Sequence, residues 1–78
     1  EQGHAAAQTN LGVMYENGNG VLQSTVITHM WYNIGCAYGN ERGSDNRGLI
    51  EEQMTREQIA EAQELARRCM ASDYQDCG

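Results

Sequence analysis

What most constrains this chain is the placing of small residues along one spaced run: Gly3, Ala7, Leu11-Gly12, Tyr15, Gly18-Asn19-Gly20-Val21, Trp31-Tyr32 and Gly39. The run reads as a helix, a glycine-marked loop and a second helix, with small residues where the two helices come together. A glycine inside a helix costs about 0.5–1 kcal/mol relative to alanine. Gly12, in the middle of the first helix, is therefore best explained by a close helix crossing. Ala7, Leu11, Met14 and Tyr15 recur at spacings of three and four, which places them on one face of a helix over residues 5–17. Gly18-Asn19-Gly20 ends that helix, because glycine readily takes the left-handed backbone that a helix end requires.

A second helix is expected over residues 25–38. Ser24 is its amino-terminal cap, and Ile27, Met30, Trp31, Ile34 and Tyr38 are its buried stripe. Gly35 and Cys36 are small residues that permit close packing, and Gly39 is the stop. The stretch 40–48 is polar and holds two glycines. Leu49, Ile50 and Met54 suggest a short third helix starting near Ser44 or Asp45. The fourth helix has the clearest start. Thr55 and Gln58 form a capping box, and Met54 and Ile59 a hydrophobic staple. Glu57 and Glu61 lie near its positive end, Arg67 and Arg68 near its negative end. Glu64 and Arg68 stand four apart in the favourable order. Ile59, Ala62, Ala66 and Cys69 form its apolar stripe, and it ends near Met70 or Ala71. No useful strand alternation occurs, so the expected fold is all-α, four helices in two antiparallel pairs.

Composition narrows the function classes. Seventy-eight residues make one small domain, which buries only about 60–65% of its unfolded surface and needs a staple, a neighbour or very regular packing. Net charge is −6, and the five basic residues are all arginines. No basic patch exists to neutralise a phosphate backbone, so a nucleic-acid partner is not expected. The apolar runs are too short to span a bilayer. No signal peptide is visible, and a chain that starts at Glu1 carries no argument about compartment.

The spaced run resembles one unit of the Sel-1-like repeat family, relatives of the tetratricopeptide repeats. Ala7, Leu11, Gly12, Tyr15, Gly18, Gly20, Val21, Trp31, Tyr32 and Gly39 carry the resemblance over about the first forty residues. Ser24 stands where the family usually has aspartate, and Thr28 and Gly35 where it has alanine. The tail, from Met54-Thr55 through Ala62-Gln63-Glu64-Leu65-Ala66-Arg67, looks like the segment that closes such arrays, with Arg56 where a proline often follows the threonine. The resemblance implies antiparallel helix-turn-helix pairs of the α/α solenoid type. Residues 1–39 would be a repeat, and residues 40–78 its carboxy-terminal cap and tail. It also implies a non-enzymatic protein-interaction role without cofactor, or a purely structural cap of a longer array.

Secreted cysteine-rich members of this family carry disulfides at the separation of Cys69 and Cys77. The resemblance therefore implies a bridge there, and with it a periplasmic or secreted location; two free thiols are the alternative. Cys36 is the unpaired cysteine and reads as buried filler. Some of those relatives have been linked to weak β-lactam binding or hydrolysis. This chain has no lysine and so no Ser-x-x-Lys motif.

Other constellations are weaker. His4, His29 and the cysteines lack the paired spacing of a zinc site. Glu51 and Glu52 point about 100° apart on a helix. Asp73 and Asp76 lack a calcium-loop pattern. No strand precedes Gly18-Asn19-Gly20 and no lysine follows, so a phosphate cradle is not expected. Trp31 is expected in the core and Tyr32 as the exposed aromatic. Ala6, Thr9, Val13 and Glu16, with Asn17, form a second stripe on the first helix. In repeat arrays the first helices line the concave surface, which makes this stripe the candidate partner contact. A lone repeat cannot cover its own apolar face, so a homo-oligomer is expected.

Overall fold

Polar caps and left-handed turns set where the helices of this chain begin and end. The computed structural model describes residues 2–18, 24–75 and Cys77; Asn19, Gly20 and Val21 of the expected loop lie outside these residues. Four helices run in order, α1 (Gln2–Asn17), α2 (Thr25–Ala37), α3 (Glu41–Glu51) and α4 (Arg56–Ala71), and no strand occurs among the described residues. The fold is all-α. Ser24 caps α2 by accepting from the Ile27 amide, 3.2 Å. Thr55 and Gln58 form the expected capping box on α4, with bonds of 2.9 and 3.1 Å. Each such cap stabilises by about 1 kcal/mol.

The third helix starts earlier than the sequence suggested, at Glu41 rather than near Ser44 or Asp45. Asn40 caps it, its Oδ1 accepting from the Gly43 amide at 2.8 Å. Gly39 sits just past α2 with φ +93°, donating to the Cys36 carbonyl, while Asn40 donates to that of Gly35. One helix closes in a Schellman turn and the next opens on the following residue. The polar stretch 40–48 is thus mostly helix, and Gly43 serves a packing purpose.

α2 is the hub. Gly12 of α1 lies against Tyr32 and Thr28, while Ala5 and Thr9 lie against Gly35, so α1 and α2 run antiparallel. Gly43 faces Tyr32 and Cys36, Arg47 donates to Asn33 at 2.6 Å, and Glu51 meets His29, so α3 also runs antiparallel to α2. The fourth helix packs on a third side of α2. Met30 and Ile34 of α2 form the core cluster with Ala66 and Cys69 of α4. The two expected pairs are therefore replaced by three helices around one, and α3 and α4 do not form an extensive interface of their own. Residues 1–39 and 40–78 share a single core.

The buried face of α1 is not the expected one. Ala5, Gln8, Thr9 and Gly12 are buried, whereas Ala7 and Met14 are exposed and Leu11 and Tyr15 half-buried. The cause is the closeness of the helices. A Cβ on Gly12 would stand 2.6 Å from the Tyr32 ring, and one on Gly35 2.3 Å from Thr9 Oγ1. Leucine and methionine do not fit between axes this close, so the larger apolar residues move to the flank.

The carboxy-terminal turn has no glycine. Tyr74 donates to the Cys69 carbonyl at 2.8 Å and Asp73 to that of Met70 at 3.2 Å, the pattern of a Schellman turn, with Asp73 (φ +57°) and Tyr74 (φ +66°) both left-handed. Left-handed backbone costs an L-residue about 1–2 kcal/mol, and a glycine loses about 0.5–1 kcal/mol more entropy on folding. Asp73→Gly is therefore expected to stabilise the chain by about 0.5 kcal/mol, raising the thermal midpoint by roughly 2–4 °C. A lower midpoint would contradict the role given to this turn.

Candidate functional site

Displacing the large residues of α1 to its flank creates a groove. Ala7, Gln8 and Leu11 of α1, Trp31 of α2 and Tyr74 of the turn after α4 line an almost wholly apolar space of about 320 Å³. Met14 continues the same face of α1 and is 39% exposed. Tyr74 and Trp31 also pack against the core cluster of Met30, Ile34, Ala66 and Cys69, which ties the groove walls to the centre of the fold.

Three polar atoms of the groove residues lack a partner: Gln8 Oε1, Trp31 Nε1 and the Tyr74 hydroxyl, each shut off from solvent. Buried polar atoms of this kind cost about 1–3 kcal/mol each and are uncommon in folded chains. Burial, and then the neighbouring Tyr38, hold the Tyr74 phenol above the usual range, with Gln8 opposing. The groove is thus apolar and uncharged, with polar atoms of its walls left unsatisfied.

Tyr74 is placed by the tail. The Sγ atoms of Cys69 and Cys77 lie 2.02 Å apart, at disulfide distance, and Tyr74 sits inside the loop they close. Cys69 is fully buried and Cys77 half-buried against the core. Chain-entropy arithmetic for so short a loop gives about 2–3 kcal/mol. Cys36 is the free cysteine and is half-buried.

The candidate stripe on α1 lies elsewhere. Thr9 has no exposed surface and donates to Asn40 Oδ1 at 3.0 Å, so it is a tie between α1 and the start of α3. Ala6 borders a shallow polar cleft with Asn40 and Glu41. Val13 is half-buried and Asn17 exposed. Glu16 is exposed but its carboxylate accepts from the Tyr32 hydroxyl. Tyr32 is the buried aromatic, with 0% exposure, and Trp31 the one on the groove, the reverse of the expectation. Arg42 donates to Asn10 at 2.9 Å. The stripe therefore faces α3 and Tyr32 in part and does not form one open surface.

Burial, followed by the bond to Glu16, pushes the Tyr32 phenol well above its usual value. A raised phenol favours the folded state while it stays neutral. That stability is complete below the unfolded value near 10 and is lost as pH rises through the folded value. Urea midpoints are expected to fall above about pH 10, and Tyr32→Phe should flatten the part of that fall due to this group. An unchanged alkaline slope in Tyr32→Phe would contradict the assignment.

The remaining polar residues tie helices together. His29 is fully buried and its Nε2 lies 2.7 Å from Glu51 Oε2, linking α2 to α3; its Nδ1 has no partner. Within α4, Arg67 Nε donates to Glu64 at 3.1 Å, and that bond, joined by the charges of Arg67 and Arg68, holds the Glu64 carboxyl below the usual range. Among the described residues no group of three or more His, Cys, Asp or Glu is placed to hold a metal ion, and no helix is long and apolar enough to cross a membrane.

No protein-family model matches this chain, and no curated protein or solved structure is significantly similar to it. The Sel-1-like resemblance rests on the spacing of its residues.

Proposed function

We propose that this chain is a non-enzymatic protein-interaction module, a terminal repeat of Sel-1-like type, that joins a second copy of itself through α1 and the groove beside it. The observation that carries the reading is the apolar groove of Ala7, Leu11, Trp31 and Tyr74, left open while the polar ties lie on other faces. Ala7, Leu11 and Met14 are self-complementary about a two-fold axis. Antiparallel pairing of α1 with its mate brings Leu11 near Leu11 of the partner subunit and sets Met14 over the small Ala7 of the partner subunit. That is the reciprocity an isologous interface requires. Methionine suits the role because it adapts to irregular gaps.

The groove residues carry no charge, so pairing there buries none of the chain's −6 and avoids the desolvation cost of ions. The cysteine pair at disulfide distance supports an oxidising compartment. The test is the absolute mass in solution by light scattering across a concentration series. Association that weakens on dilution supports the reading.

A further inference from the structure

We infer that the groove is a redox-conditional binding site: the Cys69–Cys77 disulfide holds Tyr74 in place as its outer wall, and reduction dismantles that wall while the helices remain. This deepens the interaction reading above and rests on it for what the groove binds. Tyr74 lies within the loop the two sulfurs close, and it lines the groove with Trp31, Gln8 and Leu11. Its backbone and that of Asp73 are left-handed without being glycine. Its hydroxyl is buried and unpartnered. Strained backbone persists only where surrounding structure over-determines it. The covalent closure at Cys77 adds to the constraint that the bonds from Tyr74 and Asp73 to the Cys69 and Met70 carbonyls supply. α1, α2 and α3 are fastened to one another by ties that do not involve the tail: Thr9 to Asn40, His29 to Glu51 and Arg47 to Asn33. The tail is therefore the part whose hold depends on the bridge as well as on its packing against the core.

The chemistry is thiol–disulfide exchange with a dithiol reductant. Cys69 has no exposed surface, and Cys77 is half-buried, so the attacking thiolate reaches Cys77 Sγ. The sulfur–sulfur bond breaks, a mixed disulfide forms on Cys77, and Cys69 departs as a thiolate that takes up a proton. The second thiol of the reagent then attacks its own sulfur in the mixed disulfide and releases the Cys77 thiol. The protein gains two electrons and two protons, and the dithiol becomes a disulfide.

Trp31 is the chain's one tryptophan and lines the groove, so its emission reports the wall directly. The experiment is tryptophan emission and far-ultraviolet circular dichroism of the full chain, with and without dithiothreitol, diluted until light scattering shows monomer. The expected result is a red shift of Trp31 on reduction with helical signal retained. Tyr74→Ala is expected to show the shifted emission already when oxidised, and no further change on reduction. Unchanged emission in the wild type overturns the inference. So does loss of helix together with the shift, which would make the bridge a global staple. A Tyr74→Ala chain that still responds fully to reduction also overturns it. These readouts concern the monomer, so their failure leaves the self-association reading to its own test. If that reading fails instead, the shift is still expected.

Discussion

Gly43→Val is expected to destabilise the chain by about 3 kcal/mol, the upper part of the range for overpacking a tight contact. A Cβ at Gly43 would stand 2.9 Å from the Tyr32 carbonyl oxygen and 3.0 Å from the Cys36 amide nitrogen, both backbone atoms of α2. A crowded side chain can swing away, whereas α2 moves only by loosening its contacts with the three helices around it. Valine adds two methyl groups to that collision. A domain of this length has a total stability of about 4–12 kcal/mol, so the loss is a large part of it. Gly48, five residues along the same helix, has nothing within 4 Å of its Cβ position. Gly48→Ala is therefore expected to stabilise by about 0.5–1 kcal/mol through helix propensity alone. Urea unfolding of the two variants checks the pair. A Gly43→Val chain as stable as the wild type would contradict the close approach of α3 to α2.

Leu11→Asp is expected to abolish self-association, raising the dissociation constant at least 100-fold, while leaving the helical signal in place. Leu11 is half-buried and lines the groove, so an aspartate there still reaches water in the monomer. Across the proposed two-fold axis two carboxylates would meet in an apolar setting, and each must be desolvated without a partner. A 100-fold change is about 2.7 kcal/mol, well within that penalty. Sedimentation equilibrium with circular dichroism separates the two effects. Association that survives Leu11→Asp would move the interface off α1. Loss of helix would place Leu11 in the core, where the sequence pattern alone had put it.

That pattern was legible in some places and misleading in others, for physical reasons. Caps announce themselves locally: Ser24 and the Thr55–Gln58 box act on amides within three residues, so the starts of α2 and α4 could be read directly. Asn40 offered the same signal for α3. Gly43 and Gly48 made the segment look like loop, because a glycine kept for close approach looks the same in a sequence as one that breaks a helix. The face of α1 was misread because the apolar pattern favours Leu11 and Met14, whereas at this crossing distance the inner positions go to Ala5, Thr9 and Gly12. Periodicity reveals that one face is apolar; it does not reveal how near the neighbour lies. Trp31 and Tyr32 were exchanged for the same reason, since Tyr32 lies against Gly12 while its hydroxyl reaches Glu16.

The groove itself was half legible. Ala7 and Leu11 were visible as an apolar pair, and Gln8 between them was a polar residue with no stated purpose. Tyr74 left no signal, because its position depends on a left-handed turn built without glycine and on the pairing of Cys69 with Cys77. The contact between the tail and α1 joins residues more than sixty positions apart. Local rules do not reach that far, and only the assembled core around Met30, Ile34, Ala66 and Cys69 brings them together.

The central claim is that α1 and its groove join two copies of this chain. It is tested most directly by the absolute mass of the oxidised wild type in solution, measured by light scattering after size exclusion at high micromolar concentration. The account predicts twice the chain mass of 8.7 kDa. A species that stays at the mass of one chain across that range would contradict it.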